Sequence, residues 1–303
     1  METNKDNTPK VSIIVVTDDN APSDAVFNLL NSFYPQEAGI SFEFIVIDEQ
    51  NEQKAKTYSE RFPWVKLIQI ERLTRGSHLR NMALQLAQGE IIAFLEDHVT
   101  VRHDYLKNLV ASFSKGLDIV GGPVINGNGQ MLYSWVQYFC EYHKWLPIIK
   151  EGEIDDLPGC NFAYRSHLLK RLGPFIEGYF KLETLFHEKA KQNGYRLFFD
   201  HRLVVKHFED KKILKLLTYR FQYGRLFAAR RGFQVWKRII YIVFSPLIAL
   251  FEYTRIFGHA RYDRIYLKKF IQCTPLLLLT LFVWMAGECV GYLLNVKDLE
   301  VTV

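Results

Sequence analysis

The chain has 303 residues, of which 49% are hydrophobic and 23% charged, and its formal net charge is +5. This length suits one large α/β domain with an appendage, and the composition excludes a disordered chain. Much of the positive charge lies within 206–238, directly before apolar segments, a pattern typical of a solvated basic face or of a surface that binds anionic lipid or phosphate. No nucleic-acid-binding motif accompanies this charge, so nucleic acid is not an expected partner.

The four cysteines have no paired spacing; they are Cys140, Cys160, Cys273 and Cys289. This scatter argues against a disulfide framework or a zinc cluster. No apolar signal segment opens the chain, so we expect the catalytic part to face the cytoplasm.

Strand and helix patterns alternate through the first hundred residues. Apolar, β-branched runs at 11–17, 42–48, 65–70 and 90–96 predict buried strands. Helical spacing is found between them, at 22–32, 52–61 and 79–87. The alternation predicts a doubly wound, mostly parallel sheet with right-handed crossovers.

The next hundred residues are less regular. The sequence predicts a helix at 104–113, a single strand over IVGGPV at 119–124, and a flexible turn at the NGNG of 126–129. From there to about 208 short elements are mixed, which favours an acceptor-facing subregion over a separate domain.

The C-terminal third contains two apolar segments. Residues 239–251 are too short to span a bilayer and contain Pro246, whereas 275–294 are long enough. The linker between them is basic, and two full crossings would place it outside, against the positive-inside rule. We therefore favour an in-plane or re-entrant first segment, one crossing, and a short external tail. A two-crossing hairpin stays open as an alternative.

Three domains follow from these patterns. We expect a catalytic domain at 1–232, a basic membrane-associated region at 233–271, and a transmembrane helix with a short tail at 272–303, through which the chain can oligomerise. Glu288 lies in the long segment next to Gly287 and near Gly291, and a packing role is favoured for it over chemistry.

Acidic and hydroxyl side chains recur at strand ends. Thr17, Asp48 and Glu96 each stand at the carboxyl end of a predicted strand, and in a parallel sheet these ends meet at one edge, where such sheets bind ligands. Carboxylates that converge need a metal, basic side chains or a hydroxyl-rich ligand to offset their repulsion. A nucleoside diphosphate would bring the metal, and its ribose and base would bring the hydrogen-bond donors.

In these residues the chain resembles the family 2 glycosyltransferases of GT-A fold. The likeness extends over about 10–232 and rests on an ordered series of motifs: VSIIVVT, VIDEQN, RGSHLRNMALQLAQGEIIAFLEDH, GGPV, GCNFAYRSHLL, LETLFHEKAKQNGYRL and VVKHF. The resemblance implies a GT-A fold, a nucleotide-sugar donor, and single displacement with inversion. The trailing apolar segments are similar to those of the membrane-anchored branch that builds polysaccharides or lipid-linked glycans.

The resemblance also implies which residues hold the donor. Thr17 and Asp48 would contact the nucleoside, with Glu49 at the second acidic position. Arg80 and Asn81, after the helix start at Gly76, would meet the diphosphate. Alternatively, Arg80 pairs with Glu49 or Glu96.

The family's Asp-x-Asp metal motif is altered here to Glu96, Asp97 and His98. Glu96 and Asp97 would still serve the nucleotide sugar, and an imidazole at the third position favours Mn²⁺ over Mg²⁺ as the divalent ion. His207, in VVKHF, fits a second metal ligand; the alternative is a histidine that merely closes a strand.

Glu183 is the candidate catalytic base, because its spacing to Gly194 resembles the family's acidic motif, although Leu182 stands where a glutamate is common. An acid placed to favour the helix dipole is the alternative. Gly159, Asn161 and Arg165 would shape the sugar and acceptor pocket, or Gly159 would only permit a tight turn.

The basic and aromatic residues beyond the motifs each have more than one interpretation. Arg220, Arg225 and Arg230 recur at helical intervals and would grip pyrophosphate or lipid headgroups, or else be solvated. An aromatic set would stack on sugars, meet the membrane interface, or pack in the core. Its members are Tyr133, Trp135, Tyr138, Phe139, Tyr142 and Trp145.

The sequence thus predicts an inverting glycosyltransferase at the cytoplasmic membrane, its catalytic domain in the cytoplasm and its acceptor lipid-linked or a growing glycan. The altered metal motif leaves open a silent nucleotide-sugar-binding scaffold. A nucleotide-dependent oxidoreductase is disfavoured, since no Gly-x-Gly-x-x-Gly turn follows the first strand.

Overall fold

The computed structural model describes residues 9–17, 24–34, 39–71, 76–175, 182–208 and 212–294. The strands are β1 Val11–Val16, β2 Phe42–Glu49, β3 Val65–Ile70, β4 Ile91–Glu96, β5 Val99–Val101, β6 Ile119–Gly121, β7 Val124–Asn126, β8 Gly152–Ile154, β9 Asn161–Arg165, β10 Leu197–Phe199 and β11 Val205–His207. The helices are α1 Ala25–Asn31, α2 Glu52–Arg61, α3 Gly76–Leu86, α4 Tyr105–Ser114, α5 Leu132–Tyr142, α6 Ser166–Leu172, α7 Leu182–Gln192, α8 Ile213–Arg230, α9 Val235–Val243, α10 Ser245–Ala260 and α11 Arg264–Leu294. A 3₁₀ helix spans His143–Trp145.

A mixed sheet of eight strands forms the centre of the fold, in the order β3-β2-β1-β4-β9-β6-β10-β8. Strand β1 is parallel to β2 and β4, β2 is parallel to β3, and β6 is parallel to β10. Strand β9 is antiparallel to β4 and β6, and β8 is antiparallel to β10. The predicted α/β class with a mostly parallel sheet is confirmed, and the strand order reverses at β1, where such sheets place ligand sites.

The predicted single strand at 119–124 is wrong. The segment forms β6 in the large sheet and β7 in a separate three-stranded sheet of order β5-β11-β7. At Gly122, between them, an added Cβ would overlap the Leu203 carbonyl oxygen, and Pro123 has no N–H for a ladder. The strand therefore breaks here because another part of the chain lies against it.

Two local signals set the helices that carry site residues. Asn51 caps α2, its side-chain oxygen accepting from the Lys54 amide at 2.9 Å, so Lys54 lies in the first turn after β2. Gly194 follows α7 with φ of 84°, a left-handed conformation that favours glycine. Helix α3 begins at Gly76, three residues before the predicted start.

The chain forms two compact units. The sheet unit comprises 1–125 and 149–208, and the helical unit comprises 126–148 and 209–303. The boundary after Phe208 precedes residue 232, where the sequence places the end of the catalytic domain. Segment 126–148, which carries α5 and the whole aromatic set, belongs to the helical unit.

The C-terminal apolar segments are both helical. Among the described residues, α11 is long and apolar enough to cross a membrane. Helices α9 and α10 are long and apolar enough to cross only when taken together, and they are bent by 65° at their junction. Pro246 lies in the first turn of α10. The short predicted segment at 239–251 thus straddles a helix break.

Candidate functional site

The carboxyl ends of β1, β2 and β4 bring the predicted donor residues to one edge. Val16 is in register with Ile47 and with Glu96, and the Thr17 amide donates to the Ile47 carbonyl at 3.0 Å. The Thr17 hydroxyl then donates to Asp48 Oδ1 at 2.8 Å. Three segments distant in sequence therefore meet because parallel strands end together.

Asp48 is buried and accepts several hydrogen bonds. Besides Thr17, its donors are Lys54 Nζ at 3.3 Å to both oxygens, the Tyr58 hydroxyl at 3.3 Å and the Glu49 amide at 2.8 Å. Burial, reinforced by the Asp48 charge, raises the pKa of Tyr58, which keeps its hydroxyl protonated as a donor. The sequence did not single out Lys54, although the Asn51 cap directly after β2 was a signal for its position.

Glu96, His98 and His207 form a cluster that can hold a metal ion. Their ligand atoms lie within 4.8 Å of one another, and Glu96 Oε2 is 3.1 Å from His207 Nε2 and 3.5 Å from His98 Nε2. His98 Nδ1 donates to Asp97 Oδ1 at 2.7 Å. A carboxylate behind an imidazole fixes its orientation, as in many metal sites, so this donor set fits a divalent ion.

The backbone explains why the two histidines meet. Strands β5 and β11 are antiparallel, with His207 opposite Val99, and the Phe208 amide donates to the His98 carbonyl at 2.9 Å. His98 and His207 rings lie 4.5 Å apart. The small sheet thus returns His207 to Glu96 at the end of β4, although the two residues are 111 positions apart in sequence.

Glu96 is held as a carboxylate. Burial raises its pKa, but the hydrogen bond from His207 and the positive charges of His98, His207 and Arg80 outweigh burial and lower the pKa to about 2. The neighbouring cations therefore offset the cost of a charge inside the protein.

Arg80 forms its ion pair with Glu183, and Glu96 affects it through charge at longer range. The alternative prediction, an ion pair with Glu49 or Glu96, is therefore not the pairing observed. Arg80 Nη1 donates to Glu183 Oε1, and its Nη2 donates to the Gly159 carbonyl at 3.4 Å. The guanidinium also lies 5.8 Å from the centre of the Phe162 ring. Burial lowers the pKa of Arg80 while the charge of Glu96 opposes that effect, so Arg80 interacts with both acids.

Gly159 borders Glu183 directly. A Cβ added at Gly159 would lie 3.4 Å from Glu183 Cδ, which is van der Waals contact, so a side chain at this position would touch the carboxylate. Glu183 itself lies in the first turn of α7.

A buried histidine on α7 was missed by sequence reasoning. One helical turn after Glu183, His187 Nδ1 lies 2.6 Å from Asp156 Oδ1, and Thr184 donates to Asp156 Oδ2 at 3.0 Å. These bonds fix α7 against the segment before Gly159. The four-residue spacing of Glu183 and His187 was the available signal.

Two predicted site residues, Asn81 and Asn161, hydrogen-bond to other parts of the fold. The Asn81 amide group donates to and accepts from the Phe175 backbone at 2.9 Å, which uses both of its polar atoms. Asn161 is fully buried between the Tyr105 hydroxyl at 2.9 Å and the Leu203 carbonyl at 2.6 Å. These hydrogen bonds direct neither side chain towards the sugar donor or the sugar acceptor.

Arg165 lies at the opposite end of the sheet from Glu96. It is in register with Ile91, the first residue of β4, whereas Glu96 is the last. Its guanidinium donates to the carbonyls of Leu117, at 3.1 Å, and Phe113. The structure therefore contradicts the prediction that Arg165 lines the acceptor pocket.

The C-terminal basic residues have defined neighbours where they are described. Arg220 lies 4.1 Å from the Trp284 ring centre and 4.0 Å from a Glu141 oxygen. The aromatic set packs on α11: Phe139 lies 5.8 Å from Phe270, and Trp135 lies 5.9 Å from Tyr266. For these residues core packing is the arrangement observed.

The family model for Glycosyl transferase family 2 matches residues 8–173, more than half of the chain. The chain belongs to glycosyl transferase family 2. It is therefore a glycosyltransferase, and the enzyme class predicted from the motifs is confirmed.

One curated relative of this family 2 enzyme is the succinoglycan biosynthesis protein ExoM of Rhizobium meliloti (strain 1021). The two are 33% identical over 95 residues, which is 31% of this chain and 30% of ExoM. The chain thus matches less than a third of the length of that relative.

Solved glycosyltransferase structures share the fold. The mannosyltransferase PcManGT from Pyrobaculum calidifontis, solved with GDP-Man and Mn²⁺, superposes with a TM-score of 0.58 at 17% identity, covering 94% of this chain and 87% of that one. TarS 1–349 of S. aureus with UDP-GlcNAc gives 0.52 at 20% identity, covering 93% and 89%. GalNAc-T7 with UDP, GalNAc and Mn²⁺ gives 0.54 at 18% identity, covering 75% and 51%. At these identities the likeness shows a common fold alone.

Proposed function

We propose that this family 2 enzyme transfers a sugar from a nucleoside-diphosphate sugar to an acceptor hydroxyl with inversion, using Glu183 as the base. The observation that carries the proposal is the charge network of Arg80, which pairs with Glu183 and also interacts with Glu96. A base candidate and a metal-type cluster are thereby connected through one cation at one edge of the sheet.

Thr17, Asp48, Lys54 and Tyr58 are suited to the nucleoside. The Asp48 carboxylate can accept from a base N–H or a ribose hydroxyl, and Lys54 beside it offsets its charge. The structural neighbours were solved with UDP, UDP-GlcNAc and GDP-Man, which makes uridine and guanosine donors the first to test.

A divalent ion would be held by Glu96, His98 and His207, with Asp97 orienting His98. When bound, such an ion neutralises the diphosphate that departs. Two neighbours were solved with Mn²⁺, and nitrogen ligands suit Mn²⁺ better than Mg²⁺.

The reaction requires a proton acceptor opposite the leaving group. The acceptor oxygen attacks the anomeric carbon as its bond to the diphosphate oxygen breaks, and the hydroxyl proton passes to the Glu183 carboxylate. General-base help of this kind contributes about 10²–10⁴-fold in rate. Because Glu183 is paired with Arg80, the guanidinium must turn towards the diphosphate before Glu183 can accept the proton.

The acceptor we propose is a lipid-linked or growing glycan at the cytoplasmic face of the membrane. ExoM is named as a succinoglycan biosynthesis protein, and the helical unit contains a helix apolar enough for membrane contact. Inner-membrane residence and the catalytic side are part of this proposal.

The test is turnover with purified full-length protein. A panel of uridine and guanosine diphosphate sugars, each with Mn²⁺ or a chelator and a lipid-linked glycan fraction, is scored for released nucleoside diphosphate. We expect release by the parent chain and a loss of at least about 100-fold in Glu183→Gln. Glu188→Gln, an exposed position on the same helix, is the matched control and should keep full activity.

The second candidate is a silent nucleotide-sugar-binding scaffold. It is favoured by the altered metal motif and by the hydrogen-bonded ion pair in which Arg80 holds the Glu183 carboxylate. Donor binding detected by calorimetry without product from any donor and acceptor pair would support the scaffold and refute the transferase.

A further inference from the structure

Helix α11 has one exposed face and one buried face. Exposed residues recur every three or four positions, and the buried residues fall between them. The exposed series includes Lys268, Ile271, Pro275, Leu279, Phe282 and Ala286. The buried series includes Phe270, Cys273, Leu277, Leu281, Glu288 and Gly291. Because other residues of the unit cover the buried face, only the exposed stripe of α11 is accessible to lipid.

Other helices of the same unit cover the buried face along its whole length. Helix α5 covers the first half, where Cys273 Sγ donates to the Leu132 carbonyl at 3.5 Å. Helix α8 covers the second half: a Cβ added at Gly287 would overlap the Phe221 carbonyl, and one at Gly291 would overlap the Arg225 carbonyl. The two backbones therefore touch, and they run parallel because both contact numbers rise together.

Charged side chains lie at the level of this contact. Arg231 donates to Glu288 Oε2 at 3.1 Å and to the Tyr292 hydroxyl at 2.6 Å, and Arg220 lies against Trp284. The Nε atoms of Arg220 and Arg225 are buried without a hydrogen-bond partner among the described residues. If 275–294 crossed the hydrocarbon, these arginines would be carried to the same depth, which is costly for a guanidinium.

The preceding helices also expose apolar side chains. Val235, Trp236, Ile239 and Val243 are exposed on α9, which buries no residue, and Leu247 and Phe251 are exposed on α10. Exposed cations accompany them in the same unit: Lys237, Arg261, Arg264 and Lys268. Exposed aliphatic and aromatic residues with lysine and arginine are the composition of a helix that lies in an anionic membrane interface.

We infer that the helical unit is monotopic: α9, α10 and α11 bind one leaflet of an anionic bilayer, and α11 lies along the membrane instead of crossing it. Both ends of α11 are then on the same side. This differs from the single crossing that hydropathy predicts, because hydropathy does not register that α5 and α8 occupy one face of α11. The inference does not depend on the proposed chemistry.

The first experiment measures sidedness with the full-length chain. Tyr262→Cys, at an exposed position before α11, and a cysteine added after Val303 are each labelled with a membrane-impermeant maleimide in sealed vesicles of both orientations. Labelling of the parent chain corrects for its native cysteines. We expect both positions to react from the same side. Reaction from opposite sides would establish a crossing and overturn the inference.

The second experiment measures lipid binding by flotation with vesicles of phosphatidylcholine, alone or with phosphatidylglycerol. We expect at least about tenfold tighter binding to the anionic vesicles, weakened by high salt. The double variant Leu247→Glu with Phe251→Glu should reduce binding by about tenfold or more, since it places charge on the apolar stripe. Leu86→Glu, an exposed position in the sheet unit, should not.

The competing occupant of this face is a second copy of the chain. Light scattering of the same variants distinguishes it from lipid. If Leu247→Glu with Phe251→Glu converts a dimer to a monomer and leaves vesicle binding intact, the face is a protein interface and the inference is wrong.

Discussion

Glu96 and Glu288 are both acids held inside the protein, the first at the sheet edge and the second among the C-terminal helices. Glu96 faces two imidazole nitrogens, atoms that bind cations as readily as protons, and its side chain is 30% exposed. Glu288 accepts from Arg231, Trp284 Nε1 at 2.7 Å and the Tyr292 hydroxyl at 3.1 Å, and is 5% exposed. Glu96 can exchange its partners for a ligand, so we call it an open acid. Glu288 already has a full set of hydrogen-bond donors, so we call it a closed acid.

Asp200 belongs with the closed kind although it lies in the sheet unit. It accepts from Arg202 at 2.7–3.0 Å and from Ser112 at 2.5 Å, and its side chain is 1% exposed. Burial of an acid therefore does not by itself mark a functional site. Asp200 also has a histidine and a glutamate near it, His201 and Glu151. What distinguishes Glu96 is that two imidazole nitrogens face it and that its side chain is 30% exposed, whereas that of Asp200 is 1% exposed and bonded to Arg202 and Ser112. Removing an open acid should cost activity, and removing a closed one should cost stability.

The largest effect is expected for Glu96→Gln. The side chain keeps its shape but loses the charge that attracts a cation, so turnover should fall by about 10²–10³-fold. The thermal unfolding midpoint should fall as well, because the lowered pKa of Glu96 means that its charge also stabilises the folded state. Nucleoside diphosphate release measures the first quantity and circular dichroism the second. Glu90→Gln, at an exposed pair just before the same strand, should behave as the parent. Full activity in Glu96→Gln would show that Glu96 is not an open acid.

The closed acid should show a different result. Glu288→Ala leaves the partly exposed Arg231 without its carboxylate and removes the acceptor of Trp284 and Tyr292, which should lower the free energy of unfolding by about 2 kcal/mol while the turnover of folded protein is retained. Thermal unfolding in detergent provides the measurement. Glu252→Ala, which removes only a partly exposed pair with Arg255, should cost less than about 1 kcal/mol. An equal loss of unfolding free energy in Glu288→Ala and Glu252→Ala would contradict the assignment of Glu288 as a closed acid.

Lys54 offers a smaller test at the sheet edge. Lys54→Met removes the ammonium beside Asp48, so a nucleotide sugar would meet an uncompensated carboxylate. We expect KM for the donor to rise about tenfold with kcat nearly unchanged. Lys56→Met, two residues later and exposed, is the control. A fall in kcat at constant KM would argue that Lys54 acts on the reaction step instead.

The smallest effect concerns acid stability at Asp200. Burial raises its pKa, but hydrogen bonds from Arg202 and Ser112 outweigh burial and lower it. A folded-state pKa below the unfolded value of about 3.9 stabilises the protein above about pH 4, and this contribution is lost as the pH falls through the folded-state pKa.

Asp200→Asn should therefore lower the unfolding midpoint at neutral pH and flatten its decline below about pH 4. Urea unfolding at several pH values measures both. Asp155→Asn, whose side chain is fully exposed, should leave the decline unchanged. If the unfolding midpoint of Asp200→Asn declined as steeply with falling pH as that of the parent, acids other than Asp200 would determine the loss of stability at low pH.

The sequence alone determined the elements and the sheet edge. Runs of β-branched residues at 11–17, 42–48 and 90–96 predicted three strands that the structure contains, because local periodicity reports which face of an element is buried. It also placed Thr17, Asp48 and Glu96 together, since parallel strands that end in polar residues end at one edge.

Tertiary structure decided the partners. Arg80 and Glu183 are 103 positions apart, and nothing in either local pattern names the other. Asn81, Asn161 and Arg165 matched motifs, yet backbone groups brought close by the fold take up their side chains. The break at Gly122 and the covered face of α11 have the same origin. A pattern along one segment records whether its residues are buried, but only the assembled chain determines what lies against them, because contacts between distant segments depend on the whole path of the backbone.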